Sequence, residues 1–431
     1  MVVTLFTDNL RLRHASICVN MRIKLINLLS TLRKVILKYI SRLVKKIMNK
    51  ESKNMSILEA QEYINKLARE FFAIGENATE DTFRSEFAKL EKEHALWQWM
   101  NPGIYGNVII YLVYFTRKYG TPSGVIDLLD RYYPDYDKVC SYDYQNKVTI
   151  NEAWARSLVE LDVESKAYEH LKIAAYNQFV DNISYDGFEF FSFRDFTQYA
   201  FDDIQNNTIC LAHPSTFNDP MDTILLRWNK YLQDHATDDV DRRLRMLYQK
   251  VYDRIKVRCF VRTDTLPRET TALSAPPVSK KQRIEDVNPL MWAHYANYHK
   301  GFCIKYKFPG KLVRNEDKTS LTWTRIGNVN YVAEMVFPTR NYSLWDALFA
   351  KHDVWQYEKE VRLIHYDPSN EANYKTIEIP EDCIEAIYLG LKCLDENREK
   401  MKLLLRNRNI RLYQMKVDDT DSYKLVKERI F

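Results

Sequence analysis

The spacing of hydrophobic residues changes once along the chain, near residue 188. Before that point apolar residues recur every three or four positions, as Ile57, Ala60 and Ile64 do, which is the pattern of an amphipathic helix facing a core. The run 104–119 is apolar on nearly every side and predicts a buried central helix. The front of the chain is therefore predicted to be all-helical.

Beyond residue 188 the pattern becomes one of short apolar and aromatic runs separated by turn residues, which predicts β-strands. The predicted strands are 188–193, 208–212, 257–261, 302–306, 329–332, 361–365, 375–379, 384–389 and 411–415. Few long helical patterns lie between them. This favours an α+β fold, in which a helical N-terminal domain precedes a mixed sheet with a few helices, over a doubly wound parallel sheet.

Charge separates a short N-terminal segment from the rest. Residues 1–50 hold eleven Lys or Arg and a single acid, Asp8; because the whole chain carries +5, the remaining residues carry −5. Within this segment, 22–48 has apolar residues at helical spacing opposite basic ones, the pattern of a helix that lies on an anionic membrane surface. A translation start at Met48 or Met55 would instead make the segment an upstream extension.

Two domains are predicted beyond the basic segment. Residues 51–185 hold no catalytic constellation and are predicted to form a helical sensing or interaction domain, and residues 186–431 form the α+β domain. No apolar run approaches the length of a membrane span. The seven cysteines lie far apart, without a C-x-x-C pair, so reduced thiols and a cytoplasmic location are predicted.

Candidate chemistry is concentrated in four motifs of the α+β domain. They are Phe191–Asp195, His213–Asp222, Asn288–Tyr306 and Lys351–Arg362. The third is so dense in aromatic residues and histidines that it suits either a tight core or the floor of a ligand cleft, and Trp292 and Tyr298 are predicted to be core residues. His294 and His299 are five positions apart, which fits neither a helical nor a strand metal pair, so no metal is expected.

These motifs together resemble the bacterial domain-of-unknown-function family 2971 over residues 188–420. The residues that carry the resemblance are Phe217–Asp222, Trp292–Ala296, Gly301–Ile304, Trp355–Arg362 and Ile384–Gly390. The family has no established activity, so the resemblance implies membership without a function.

The order of Arg194, Tyr295 and Glu360 is also similar to the catalytic order of ADP-ribosyltransferase-like folds. By this analogy Arg194 binds the pyrophosphate of NAD, and Tyr295, with His294 beside it, stacks on the nicotinamide ring. Glu360 then stabilises the positive charge that develops on the ribose when the glycosidic bond breaks. The three side chains must therefore line one pocket.

Four further residues are predicted to contact the cofactor. Glu358 and Arg362 alternate with Glu360 along an extended segment, and Asn218 and Asp219 belong to the second motif. Each has a structural interpretation as well. The strand residues would form an internal ion-pair ladder, and the asparagine and aspartate would form a turn.

Arg194 has a structural alternative of its own, an ion pair with Asp195 or Asp202. In the second motif, Asp222 would be the N-cap of a following helix.

The sequence thus predicts an NAD-consuming transferase or glycohydrolase of the toxin or antiphage-effector type, acting on a protein or nucleic-acid target and regulated by the helical domain. Two alternatives stay open. One is a module that binds a nucleotide or peptide without chemistry, which is favoured if Tyr295 is packed away from solvent and the carboxylates are paired with arginines. The other is a metal-dependent phosphodiesterase, which requires Asp219 or Asp222 within coordinating reach of Glu358 or Glu360.

Overall fold

The computed structural model describes most of the chain. The described ranges are 55–179, 188–222, 230–231, 233–263, 282–334 and 348–431. The amphipathic helix predicted at 22–48, and with it the predicted membrane contact, lies outside these ranges. Among the described helices, none combines the length and the hydrophobicity that crossing a bilayer requires.

The described residues form two compact units. One comprises the residues up to Gly120 together with Leu128–Asp143, and the other comprises Thr121–Asp127 together with Tyr144–Phe431. Helices make up the first unit, and the second contains all the described strands. The chain therefore has the predicted α+β organisation, in which helices precede a mixed sheet along the sequence.

The front half of the chain forms helices α1 (Ile57–Phe72), α2 (Glu80–Lys92), α3 (Pro102–Tyr119) and α4 (Pro122–Val139). Helix α1 begins at a capping box, because the Ser56 hydroxyl accepts the Glu59 backbone N–H while the Glu59 carboxylate accepts the Ser56 N–H. Helix α3 buries Val108, Leu112 and Phe115 among others. It confirms the predicted central helix.

The second unit holds helices α5 (Tyr144–Glu160), α6 (Glu164–Phe179), α7 (Gln198–Asn206), α8 (Asp239–Tyr252), α9 (Leu290–Tyr295), α10 (Gly310–Val313) and α11 (Asp395–Leu405). Helix α8 joins α5 and α6 through polar contacts. The Tyr248 hydroxyl donates to Glu152 at 2.6 Å, and the Arg243 guanidinium donates to Glu164 at 2.7 Å. The pair α5 and α6 therefore packs in the same unit as the sheet, although its sequence pattern continues that of the helical front.

The described strands are β1 (Phe188–Arg194), β2 (Thr208–Ala212), β3 (Ile255–Val261), β4 (Phe302–Phe308), β5 (Arg314–Asp317), β6 (Thr322–Asn328), β7 (Asn330–Val332), β8 (Ala350–His352), β9 (Glu360–Tyr366), β10 (Tyr374–Glu378), β11 (Ile384–Leu389), β12 (Arg411–Val417) and β13 (Leu425–Arg429). Eleven of them form one sheet in the order β13-β12-β11-β4-β1-β3-β9-β6-β5, with β2 paired to both β3 and β10. Strands β11 and β12 run parallel in an otherwise antiparallel sheet. A separate parallel pair, β7 with β8, lies beside the motif that ends in β9.

The two faces of the large sheet carry separate hydrophobic clusters. Phe190 belongs to one cluster and its neighbour Phe191 to the other. Phe191 is in register with Val261, and Val261 is in register with Glu360. Since directly opposed residues point to the same face, Glu360 lies on the Phe191 face, whereas Val361 packs in the Phe190 cluster.

The connection between α9 and β4 is a turn with an uncommon backbone. Residues Asn297–His299 all have left-handed φ angles, of 46°, 54° and 68°. The left-handed helical conformation costs about 1–2 kcal/mol per residue with a side chain. Hydrogen bonds hold the turn, since the Gly301 N–H donates to the Ala296 carbonyl at 2.8 Å and the Lys392 N–H donates to the His299 carbonyl at 2.9 Å.

The same turn exposes one aromatic residue that was predicted to be buried. Trp292 is buried, as predicted, but Tyr298 is 72% exposed, so its prediction as a core residue is wrong. The physical reason is the left-handed backbone, which turns this side chain away from the cluster around Trp292.

Candidate functional site

Five buried charged side chains form one network on the Phe191 face of the sheet. They are Asp222, Lys351, Glu358, Glu360 and Arg362, each at most 8% exposed. They come from the second motif, from β8, from the turn before β9, and from β9 itself. Three carboxylates and two cations give the network a net charge of −1 when all are ionised.

Arg362 is the most highly connected member. Its guanidinium Nη2 donates to Oδ1 and Oδ2 of Asp222 at 2.6 and 2.7 Å, and its Nε donates to Oε1 of Glu360 at 2.7 Å. The remaining Nη1 donates to the Leu348 carbonyl at 2.7 Å. Strand alternation aims Glu360 and Arg362 the same way, which is why two residues of opposite charge meet on one face of β9.

Lys351 links the three carboxylates of the network to one another. Its Nζ donates to Oε2 of Glu358 at 2.6 Å and to Oε2 of Glu360 at 2.9 Å, and lies 3.4 Å from Asp222 Oδ2. In the β7–β8 pair Lys351 is opposite Tyr331, whose hydroxyl accepts the Glu360 backbone N–H at 2.8 Å. The small parallel pair therefore fixes both the lysine and the start of β9.

Tyr295 closes the network from the third motif. Its hydroxyl donates to Oε1 of Glu358 at 2.6 Å and makes a further hydrogen bond with the Asn218 side chain. With this bond, all six carboxylate oxygens of Asp222, Glu358 and Glu360 accept at least one hydrogen bond from within the protein. Each carboxylate oxygen therefore has at least one protein donor in this arrangement.

Burial and ion pairing act on the network in opposite directions. Burial would raise the pKa of Glu360, but Arg362 and Lys351 hold that pKa well below its usual range. Burial outweighs Lys351 and Tyr295 at Glu358, whose pKa is raised. The pKa of Glu358 therefore lies above that of Glu360, so Glu358 takes up a proton at a higher pH than Glu360 does.

Aromatic rings gather where the network meets the surface. The ring centroid of exposed His294 lies 6.1 Å from that of Tyr295, 6.4 Å from that of Trp355 and 6.3 Å from that of Tyr357. The Lys351 ammonium lies 5.1 Å from the Trp355 ring centroid, a cation–π contact. We call these four residues, His294, Tyr295, Trp355 and Tyr357, the aromatic rim.

A cavity of about 450 Å³ lies beside Tyr357. This is within the range of about 300–1,000 Å³ typical of small-molecule sites. Trp292 and Tyr423 also line it, together with Lys359 and Lys424. The cavity thus combines flat aromatic surface with positive charge.

Arg194 does not join these residues. It lies three positions beyond Phe191 on β1 and so points to the face opposite Glu360. Its Nη1 donates instead to Asp203 at 3.1 Å, neither of the two partners expected of it as a surface pair. The predicted convergence of Arg194 with Tyr295 and Glu360 around one pocket does not occur; only the tyrosine and the glutamates meet.

One part of the second motif forms a turn, and another part belongs to the network. The Asp219 carboxylate accepts the Met221 N–H at 2.8 Å and its carbonyl accepts the Asp222 N–H at 3.1 Å, which is the predicted turn. Asp222 reaches Arg362, and the residues of the helix it was expected to cap lie outside the described ranges. The positive charge between Asp222 and the glutamates is supplied by Lys351 and Arg362, which occupy the space that a bridging divalent ion would need.

Sequence reasoning named Glu358, Glu360 and Arg362 but missed Lys351. The signal was present, because Lys351 opens the fourth motif and precedes Trp355 by four positions. Its role depends on β8, a strand of three residues with no apolar alternation, so no periodicity marks it.

Part of the chain matches a known family. Residues 291–363 match the model of a protein family of unknown function (DUF2971). The resemblance predicted from the motifs is confirmed over this range, which holds Tyr295, Lys351 and Arg362 but neither Arg194 nor Asp222. No curated protein and no solved structure shows a match to the chain.

Proposed function

We propose that the protein binds a ligand with a planar heteroaromatic ring, such as the nicotinamide or adenine of NAD, at the aromatic rim and the adjoining cavity. The observation that carries this proposal is the closed hydrogen bonding of the network. Its carboxylates accept hydrogen bonds from Lys351, Arg362 and Tyr295, whereas the rings of the aromatic rim stay accessible to a ligand. A binding module fits this arrangement better than an enzyme that needs a free carboxylate.

The network then serves to hold the rim in place. Glu358 fixes the Tyr295 hydroxyl, and Lys351 lies against the Trp355 ring. Rings that are fixed before the ligand arrives lose little conformational freedom on binding. Stacking of a base on an aromatic side chain contributes about 1–3 kcal/mol.

Replacing Tyr357 with alanine is expected to weaken the binding of adenosine, nicotinamide and NAD by about tenfold or more, because about 1.4 kcal/mol of lost stacking is a factor of ten. Isothermal titration calorimetry on the full chain measures the dissociation constants. Tyr374→Ala is the matched control, since Tyr374 is 62% exposed on β10, away from the cavity lining. Wild-type protein that binds none of the three ligands would remove the proposal.

A transferase that consumes NAD is the second candidate, favoured by one observation. The hydroxyl of Tyr295 lies 2.6 Å from Glu358, so the predicted catalytic tyrosine meets a glutamate that was predicted to contact the cofactor, two positions before the predicted catalytic Glu360. Such an enzyme would have to open the network to free a carboxylate, and would act as an effector on a protein or nucleic-acid target.

Release of nicotinamide from NAD tests the second candidate. An active transferase is expected to lose release in Glu360→Gln and to keep it in the Tyr374→Ala control. NAD binding by Glu360→Gln, measured in parallel, separates loss of chemistry from loss of folding. Equal traces for wild type and Glu360→Gln, whether active or inactive, count against this candidate.

A further inference from the structure

The cavity beside the rim is asymmetric in charge. Its lining includes the cations Arg262, Lys359 and Lys424 and the acids Glu285 and Asp286. Lys427, outside the lining, donates to the Glu285 carboxylate at 2.7 Å and neutralises it. The Arg262 guanidinium, however, lies 5.4 Å from the centroid of the Phe190 ring, on the other face of the sheet. Three cations, Lys359, Lys424 and Lys427, therefore face the two acids, a net +1, although residues 51–431 as a whole carry −5.

Backbone hydrogen bonds position the two exposed lysines, Lys359 and Lys424, at the edge of this cavity. Lys359 has a left-handed φ of 46°; its N–H donates to the Gln356 carbonyl at 3.2 Å and its carbonyl accepts the Arg262 N–H at 3.2 Å. Lys424 lies in the loop between β12 and β13, where its N–H donates to the Asp421 carbonyl at 3.0 Å. The Lys359 ammonium donates to the Thr263 carbonyl at 3.1 Å, and among the described residues neither lysine forms an ion pair with a carboxylate.

Aromatic residues line the same cavity as these lysines. Trp292 is buried in the floor, and Tyr357 belongs to the rim. Tyr423, 92% exposed, comes from the same loop as Lys424. A ligand that fills the cavity would therefore meet flat rings and ammonium groups together.

We propose that the ligand of this site is a nucleoside phosphate, with its base against Tyr357 and Trp292 and its phosphate on Lys359 and Lys424. The inference rests on the proposed function, which requires only a planar ring, and adds the anionic end. Two ammonium groups attract a phosphate, and a cavity of about 450 Å³, in the lower half of the usual range, suits a mononucleotide.

Calorimetry with adenosine and adenosine monophosphate tests the phosphate end. Wild-type protein is expected to bind the monophosphate at least tenfold more tightly than adenosine. The double variant Lys359→Gln/Lys424→Gln should lose that preference and keep its affinity for adenosine. The control double variant Lys400→Gln/Lys416→Gln removes two exposed lysines outside the cavity and should behave as wild type.

The outcomes separate the two proposals. Equal affinities for adenosine and its monophosphate, unchanged in the cavity double variant, would overturn the phosphate end and leave ring binding intact. If neither adenosine nor its monophosphate binds, both the proposed function and this inference are overturned. A preference that survives the cavity variant but is lost in the control variant would place the anion elsewhere and also overturn the inference.

Discussion

Replacing Arg362 with methionine is expected to lower the free energy of unfolding by about 3–5 kcal/mol, the cost of breaking a buried ion pair by removing one partner. The guanidinium donates to both oxygens of Asp222 and to Glu360, and it is 2% exposed. Without it, three buried carboxylates share the single charge of Lys351. Methionine keeps most of the side-chain volume, so the loss measured by urea denaturation reports on charge rather than on a cavity.

The control for this prediction is Arg242→Met. Arg242 is exposed and pairs with exposed Asp239 three residues earlier on α8, and such surface pairs contribute about 0–1 kcal/mol. A loss below about 1 kcal/mol for Arg362→Met would contradict the buried network, because the carboxylates would then have to be solvated or paired elsewhere.

Replacing Gly301 with alanine is expected to destabilise the protein by about 3 kcal/mol or more, at the upper end of the usual cost of overpacking. A Cβ at this position would lie 2.2 Å from the Arg194 carbonyl oxygen and 2.9 Å from that of Ala296. Both are backbone atoms, so no side chain can rotate to make room. The midpoint of urea denaturation measures the effect.

Gly103→Ala is the matched control, because nothing lies within 4 Å of a Cβ there and Gly103 is in helix α3. Alanine favours helix over glycine by about 1 kcal/mol, so this variant should be neutral or stabilised. Similar destabilisation of the two alanine variants would show that the left-handed turn does not pack closely against the end of β1.

Local patterns sufficed for most of the fold. Helical periodicity predicted the front helices, and short apolar runs predicted the strands that build both hydrophobic clusters. The hairpin of β5 and β6, the short strand β8 and the last strand, β13, were missed. The segment 314–320 consists only of polar residues, and β13 has two apolar residues followed by three charged ones, so it lacks the alternation of a half-buried strand.

The site was predictable only in part, for a reason of register. Alternation along one strand is a local property, so Glu360 and Arg362 could be placed together from sequence. Whether Arg194 shares their face depends on which residues of β1, β3 and β9 stand opposite one another, and a shift of one residue reverses the answer. Lys351 was missed because its position depends on pairing with β7.

The strand order has a practical consequence for the choice of fragments of this chain for expression. Strand β4 and the first four residues of β9 fall inside residues 291–363, whereas β1 and β3, which lie between them in the sheet, come from earlier in the chain. A fragment trimmed to the matched stretch would lack the two strands that join β4 to β9 in the sheet, and its Arg362 would lack Asp222. The matched stretch should therefore be expressed together with the residues of this chain that precede it.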